Sequence, residues 1–281
     1  MTDRLLQLYA HAPGHPAKLR VFRWLYRAFR GDRPLDLRVA GGLRMQLRPG
    51  DFIENCLIFT DWHEELTTRF LLANLAPGNV ALVAGANIGY YAMQAARAVG
   101  PAGRVVACEP APENLAATLR HLAANQLGEN VLALCLGLGA APGFQPMAPP
   151  PPENSGLASL SASPGAAAYQ ARMDTIEAIL RQFELRCPDL VQLDVEGYEW
   201  AALRGLGAHR PRLLILESDP RDFERQGSTQ AEFFAFLREL GYALFDVTGA
   251  PIRSVGFFAE NNVIATRSDL PPPHWPPLPA R

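Results

Sequence analysis

The run ALVAGANIGYYAMQAARAVGPAGRVVACEPAPEN, from Ala81 to Asn114, restricts the fold more than any other part of the chain. It reads as an apolar strand, a glycine turn, a helix and a second apolar strand that ends on an acid. Strand–helix alternation of this kind continues from residue 80 to about 217, with strands at 80–84, 104–108, 131–136, 189–194 and 212–217. Helices are expected at 88–99, 112–125 and, briefly, 198–204. Apolar strands alternating with helices predict a mostly parallel sheet covered on both faces. After the helix at 229–240, YALFDV (242–247) and GFFAENNVIATR (256–267) follow with no helix between them. They predict an antiparallel hairpin at one sheet edge, with a bulge at Asn261-Asn262.

The flanks differ. PAKLRVFRWLYRAFR (16–30) predicts a basic amphipathic helix, and residues 35–49 predict a hairpin around Gly41-Gly42. A helix is expected at 63–75, ending before Pro77-Gly78. Three segments result: a basic extension (1–50), a main domain (51–267) and a Pro-rich tail (268–281), the last expected to be extended and poorly ordered. The stretch 137–168 contains APPPPENSG and reads as a long loop.

Composition narrows the function classes. A net charge of −2 gives no general attraction for nucleic acid. Four scattered cysteines, two of them in strand-like runs, fit reduced thiols in a cytoplasmic protein better than a disulfide frame or zinc site. The first residues lack the apolar core of a signal peptide, and no apolar run would span a bilayer.

Ligands of open α/β sheets bind at the carboxyl ends of the strands. There the chain carries GANIG, where Gly85 permits a turn and Gly89 a close approach to the helix start. Glu109 follows the next strand and suits a ribose diol. A dinucleotide would need G-x-G-x-x-G. With Gly85 first, Asn87 and Tyr90 occupy the other glycine positions and crowd a phosphate. S-adenosylmethionine carries no phosphate and fits better. The second acidic group lies in QLDVEGYEW, where Asp194 and Glu196 end a buried strand. One could act as general base toward a hydroxyl, or orient it; with Glu217 they could instead bind a hard divalent ion. No ligand-rich motif marks a metal, so orientation or base is the preferred role. Glu199 suits a helix N-terminus, and Asp174 suits an N-cap. His63 and Glu65, in DWHEELT, are weaker candidates.

AGANIGYYAMQAARAVGPAGRVVACEPAPENLAATLRHLAANQL and DLVQLDVEGYEWAALRGL, with PRLLILES after them, resemble the core of the FkbM-type methyltransferases over roughly residues 50–265. The resemblance implies a class I, Rossmann-like methyltransferase fold and S-adenosylmethionine as donor. It also implies O-methylation at a hydroxyl of a sugar, polyketide or other secondary metabolite. Carried over, the donor loop is Gly85, Ala86, Asn87 and Gly89, the ribose acid is Glu109, and Asp194 and Glu196 face the acceptor. The chain departs from the family pattern twice. D-V-G-A-N-I-G has become Val83-Ala84-Gly85, and the lysine of K-I-D-V-E-G is Gln192. Loss of one charge-assisted bond to the donor would cost about 1.5–3 kcal/mol. The alternative function is therefore a binding or scaffold protein that has kept the fold but lost turnover.

Overall fold

A computed structural model describes residues 2–31, 33–148 and 169–279. The chain opens with α1 (Thr2–His11), α2 (Lys18–Arg30), β1 (Leu35–Val39), β2 (Leu43–Leu47), α3 (Phe52–Thr60) and α4 (Glu65–Asn74). The alternating core follows: β3 (Val80–Ala84), α5 (Tyr90–Val99), β4 (Arg104–Cys108), α6 (Pro112–Ala124) and β5 (Val131–Leu134). Next come β6 (Gly137–Leu138), β7 (Gly143–Met147), β8 (Tyr169–Asp174), α7 (Ile176–Gln182), β9 (Leu190–Leu193) and α8 (Glu199–Arg204). The chain closes with β10 (Leu213–Glu217), α9 (Pro220–Arg225), α10 (Gln230–Glu239), β11 (Tyr242–Asp246) and β12 (Asn262–Arg267).

Seven strands form one sheet in the order β11-β12-β10-β9-β3-β4-β5. The pairs β10–β9, β9–β3, β3–β4 and β4–β5 are parallel, and β12 runs antiparallel to both neighbours. This is the class I methyltransferase fold. The chain leaves β3 in one direction, through β4 to β5, and later returns to its other side at β9. That reversal opens a crevice at the carboxyl ends of β3 and β9. The final hairpin forms one edge of the sheet as expected, with β11 outermost and β12 between it and β10. Asn261-Asn262 is a strand start rather than a bulge, because Ala259–Asn261 forms a 3₁₀ turn with Glu260 and Asn261 at positive φ.

Residues 137–168 are not all loop. β6 and β7 pair with β8 in a separate three-stranded sheet. The prolines 149–152 and the segment SGLASL (155–160) after them lie outside the described residues.

Alternate residues of each central strand feed two apolar layers. Ala81 and Val83 face a layer shared with α1 to α5 and the first hairpin, while Leu82 and Ala84 face the layer under α7 to α10. Leu35, Leu37, Met45 and Leu47 are buried in the first layer, so the extension shares the main core. The tail is extended but anchored. Asn74 exchanges two hydrogen bonds with the His274 backbone, and Trp275 packs on Phe70 and Phe245 at 4.8 and 5.6 Å between ring centroids. A large aromatic side chain recovers enough apolar burial to order an otherwise open segment. All four cysteines are free; Cys108 is buried as its strand suggests, whereas Cys135 lies just past β5 and is exposed.

Candidate active site

A cavity of about 550 Å³ opens at the carboxyl ends of β3, β4, β9 and β10. Its first wall is the turn between β3 and α5. Gly85 has φ +72°, and a Cβ there would overlap the Asp194 carbonyl oxygen. The turn can pass beside β9 only without a side chain. Gly85→Ala is therefore expected to destabilise the fold by about 3 kcal/mol or more, from backbone strain and overpacking together. Urea denaturation would measure it; a variant as stable as the native chain would show that the turn yields.

Gly85, Ala86 and Asn87 line the cavity, whereas Gly89 does not. The neighbour that requires glycine at position 89, at φ +90°, is Thr118 on α6: a Cβ would lie 2.9 Å from its Cγ2. Helix packing thus explains this glycine, instead of the ligand or strand approach expected from sequence. α6 also braces the turn. The Thr118 hydroxyl donates to the Asn87 carbonyl at 2.6 Å. His121 Nε2 accepts the Gln46 N–H at 3.0 Å, which puts its proton on Nδ1, facing the Ile88 carbonyl at 2.8 Å. Burial lowers the His121 pKa and favours this neutral form. The first hairpin is thereby tied to the cavity wall, a link no periodicity reveals.

Glu109 follows β4 and is almost fully buried. Its carboxylate accepts the Asn87 and Ala111 backbone N–H groups at 2.8 and 2.9 Å. One oxygen goes to each, and the Asn114 side chain also hydrogen-bonds the carboxylate. Burial pushes its pKa up to about 7 against the pull of those donors.

Beside the Gly85–Asn87 turn the lining is acidic. Asp194, Glu196 and Glu217 bring one carboxylate oxygen each within 4.8 Å of one another. Asp194 stands where β9 ends, its N–H donated to the Ala84 carbonyl. Glu196 holds a left-handed backbone, φ +55°, an unfavourable conformation for glutamate that turns the chain at the cavity. Burial, then the charges of Asp194 and Glu199, push its pKa up to about 8. Glu217 is driven well above the carboxylate range by burial and by Asp194, and its Oε2 is buried with no hydrogen-bond partner. Glu199 turns inward on its own loop, where its Oε1 accepts the Val195 N–H at 2.9 Å.

A further acid was missed by sequence reasoning. Glu64 precedes α4 with φ +46° and lines the cavity. It accepts Tyr91 Oη–H at 2.6 Å and Asn262 Nδ2–H at 2.9 Å. Burial, then the charge of Asp194, push its pKa up to about 8. Glu65, the neighbour singled out from sequence, instead pairs with Arg69 one helical turn on. His63 also lines the cavity, with its pKa lowered to about 4 by burial. Asp174 does not: it receives the Thr175 N–H, and Thr175 is the cap of α7.

Val83 and Gln192, the two departures from the family pattern, are register partners on adjacent parallel strands. Both are buried, and neither lines the cavity. Gln192 Oε1 has no hydrogen-bond partner.

This sheet order, with a glycine turn and paired acids at its switch point, defines a class I methyltransferase. The methyltransferase FkbM domain model matches residues 84–244, and the chain belongs to that family. Among proteins of curated function none matches. Solved structures resemble it more distantly. An S-adenosylmethionine-dependent O-methyltransferase from Thermotoga maritima shares 15% identity over 86% of this chain and 81% of its own, at a TM-score of 0.44. A methyltransferase from Geobacter sulfurreducens shares 17% identity over 73% and 80%, at 0.43. One from Streptococcus mutans, in complex with S-adenosylhomocysteine, shares 11% over 72% and 96%, also at 0.43. No helix among the described residues is long and apolar enough to cross a membrane.

Proposed function

We propose that this chain is an S-adenosylmethionine-dependent O-methyltransferase acting on a hydroxyl of a small or glycosidic molecule. One observation carries the reading: the Gly85–Asn87 turn, Glu109 and the Asp194–Glu196–Glu217 group all line a single cavity. The donor supplies an activated methyl group on a sulfonium. Ala86 and Asn87 would bound its amino-acid end, and Glu109 its ribose. The remaining chemistry belongs to the acids. Asp194 orients the acceptor oxygen toward the methyl carbon, and much of the acceleration comes from that placement. Glu196 accepts the hydroxyl proton. A base with a pKa near 8 is better matched to this transfer than His63 near 4.

Calorimetric titration of the full chain with S-adenosylmethionine and S-adenosylhomocysteine is expected to give micromolar binding of both. Glu196→Gln is expected to keep that affinity and to lower kcat by about 10²- to 10⁴-fold on the best acceptor of a panel of sugars and phenols. If neither ligand binds, the donor is wrong; if Glu196→Gln turns over normally, the base is wrong.

The acid group supports a second role. Three carboxylates in one place, with one Glu217 oxygen buried without a partner, fit a hard divalent cation such as Mg²⁺ held by Asp194, Glu196 and Glu217. The ion would lower the pKa of the acceptor hydroxyl. Activity abolished by a chelator and restored by Mg²⁺ favours this role; activity indifferent to both favours Glu196 as the base. The scaffold alternative rests on Val83 and Gln192, and since neither reaches the cavity it loses its main support.

A further inference from the structure

A second concavity, of about 310 Å³, lies on the N-terminal segment and is lined by Arg23, Tyr26, Arg27, Arg48 and Pro49. Arg23 and Arg27 are one turn apart on α2, while Arg48 follows β2. Three exposed arginines from two elements therefore line one small cleft, with no carboxylate in its lining. Among the described residues none of the three forms an ion pair, although Arg30 and Arg44 nearby do, with Asp3 and Asp36. Glu54 accepts the Arg48 backbone N–H but does not line the cleft. Arg20 extends the same basic face of α2, and Trp24 beside it is 67% exposed.

Three cations around one cleft repel one another, and the neighbouring Glu54 offsets this only at Arg48. The arrangement instead suits a ligand carrying several negative oxygens. Guanidinium groups bind phosphate through paired N–H donors in a fixed plane, which no ammonium reproduces. We infer that Arg23, Arg27 and Arg48 form a binding site for the phosphate group of a phosphate ester. The site adjoins the larger cavity along the chain: Pro49 lines one, and Phe52 and Ile53 line the other. A phosphate held there would tether its bearer beside the methyl-transfer cavity. Only this consequence rests on the proposed function; binding itself does not.

The full chain is titrated calorimetrically with inorganic pyrophosphate. In parallel it is sedimented with phosphatidylcholine vesicles, with or without phosphatidylglycerol. Arg23→Gln/Arg27→Gln and Arg48→Gln are compared with Arg253→Gln, an exposed arginine elsewhere. The expected result is binding by the native chain that weakens about tenfold or more in the first two variants and persists in the third. Pyrophosphate binding without vesicle retention identifies a soluble phosphate ester as the ligand; retention on anionic vesicles alone identifies a lipid headgroup. Arg48→Gln lies outside the helices, so it reads the site even if the double substitution unravels α2. Absence of binding to either probe overturns the site, as does equal loss in Arg253→Gln or no loss in the cleft variants.

Discussion

Val83→Asp alone is expected to destabilise the protein by about 3 kcal/mol or more, because it places an unpaired carboxylate in a closed core. Family resemblance taken alone makes the opposite suggestion, that aspartate at this position would restore donor binding. The fold removes that suggestion. Val83 has no exposed surface and sits beside Gln192 on the next strand. In parallel strands register partners project to the same face about 4.8 Å apart. The family's aspartate and lysine would therefore be immediate neighbours. Here both charges are gone together, one replaced by a hydrocarbon and the other by an amide.

The double variant Val83→Asp/Gln192→Lys is accordingly expected to recover most of the loss. A favourable coupling of about 3 kcal/mol or more should appear in a double-mutant cycle followed by urea denaturation. A buried ion pair rarely exceeds an apolar pair in net stability, so the double variant need not surpass the native chain. Additive single effects, or a Val83→Asp protein that is stable and binds S-adenosylhomocysteine more tightly, would refute this account.

That pair marks the limit of what the sequence discloses. Strands 80–84 and 104–108 are legible to the residue because buried parallel strands are unbroken apolar runs between turn residues. Asp194, Glu196 and Glu109 are legible because acids at the ends of such runs contradict burial. Across-strand neighbours are a different matter. Nothing local in VALVA or LVQL says which residue of one faces which of the other. The choice between Glu64 and Glu65 fails for a related reason. It depends on a left-handed backbone at Glu64, where a helix starts, and no side-chain pattern encodes that. The small sheet of β6, β7 and β8 escaped because GL, GFQPM and YQARMD have few apolar residues and no clear alternation. α1 and α3 were missed too: each is short, and each is held by packing against the first hairpin more than by its own propensity.

The acid wall leads to a prediction of comparable size. Glu64 and Glu196 titrate near 4.5 in the unfolded chain and near 8 in the folded one. Between those values the folded protein holds protons that the unfolded chain has released. Stability from these groups is therefore fullest below about pH 4.5 and falls as pH rises toward 8, by up to about 1.4 kcal/mol per pH unit for each such group. Glu217 is the most strained member, with one oxygen buried and unpartnered beside Asp194. Glu217→Gln removes this proton-binding group while keeping the shape. It is expected to stabilise the protein by about 1–3 kcal/mol at pH 8 and to flatten the decline between pH 6 and 8, while methyl transfer falls. Melting curves across pH, beside turnover on the same samples, would measure both. Lower stability at pH 8, or unaltered turnover, would mean that Glu217 is a structural acid whose charge the fold already satisfies. The expected outcome means that this protein tolerates crowded, proton-hungry carboxylates at its switch point because the reaction there needs them.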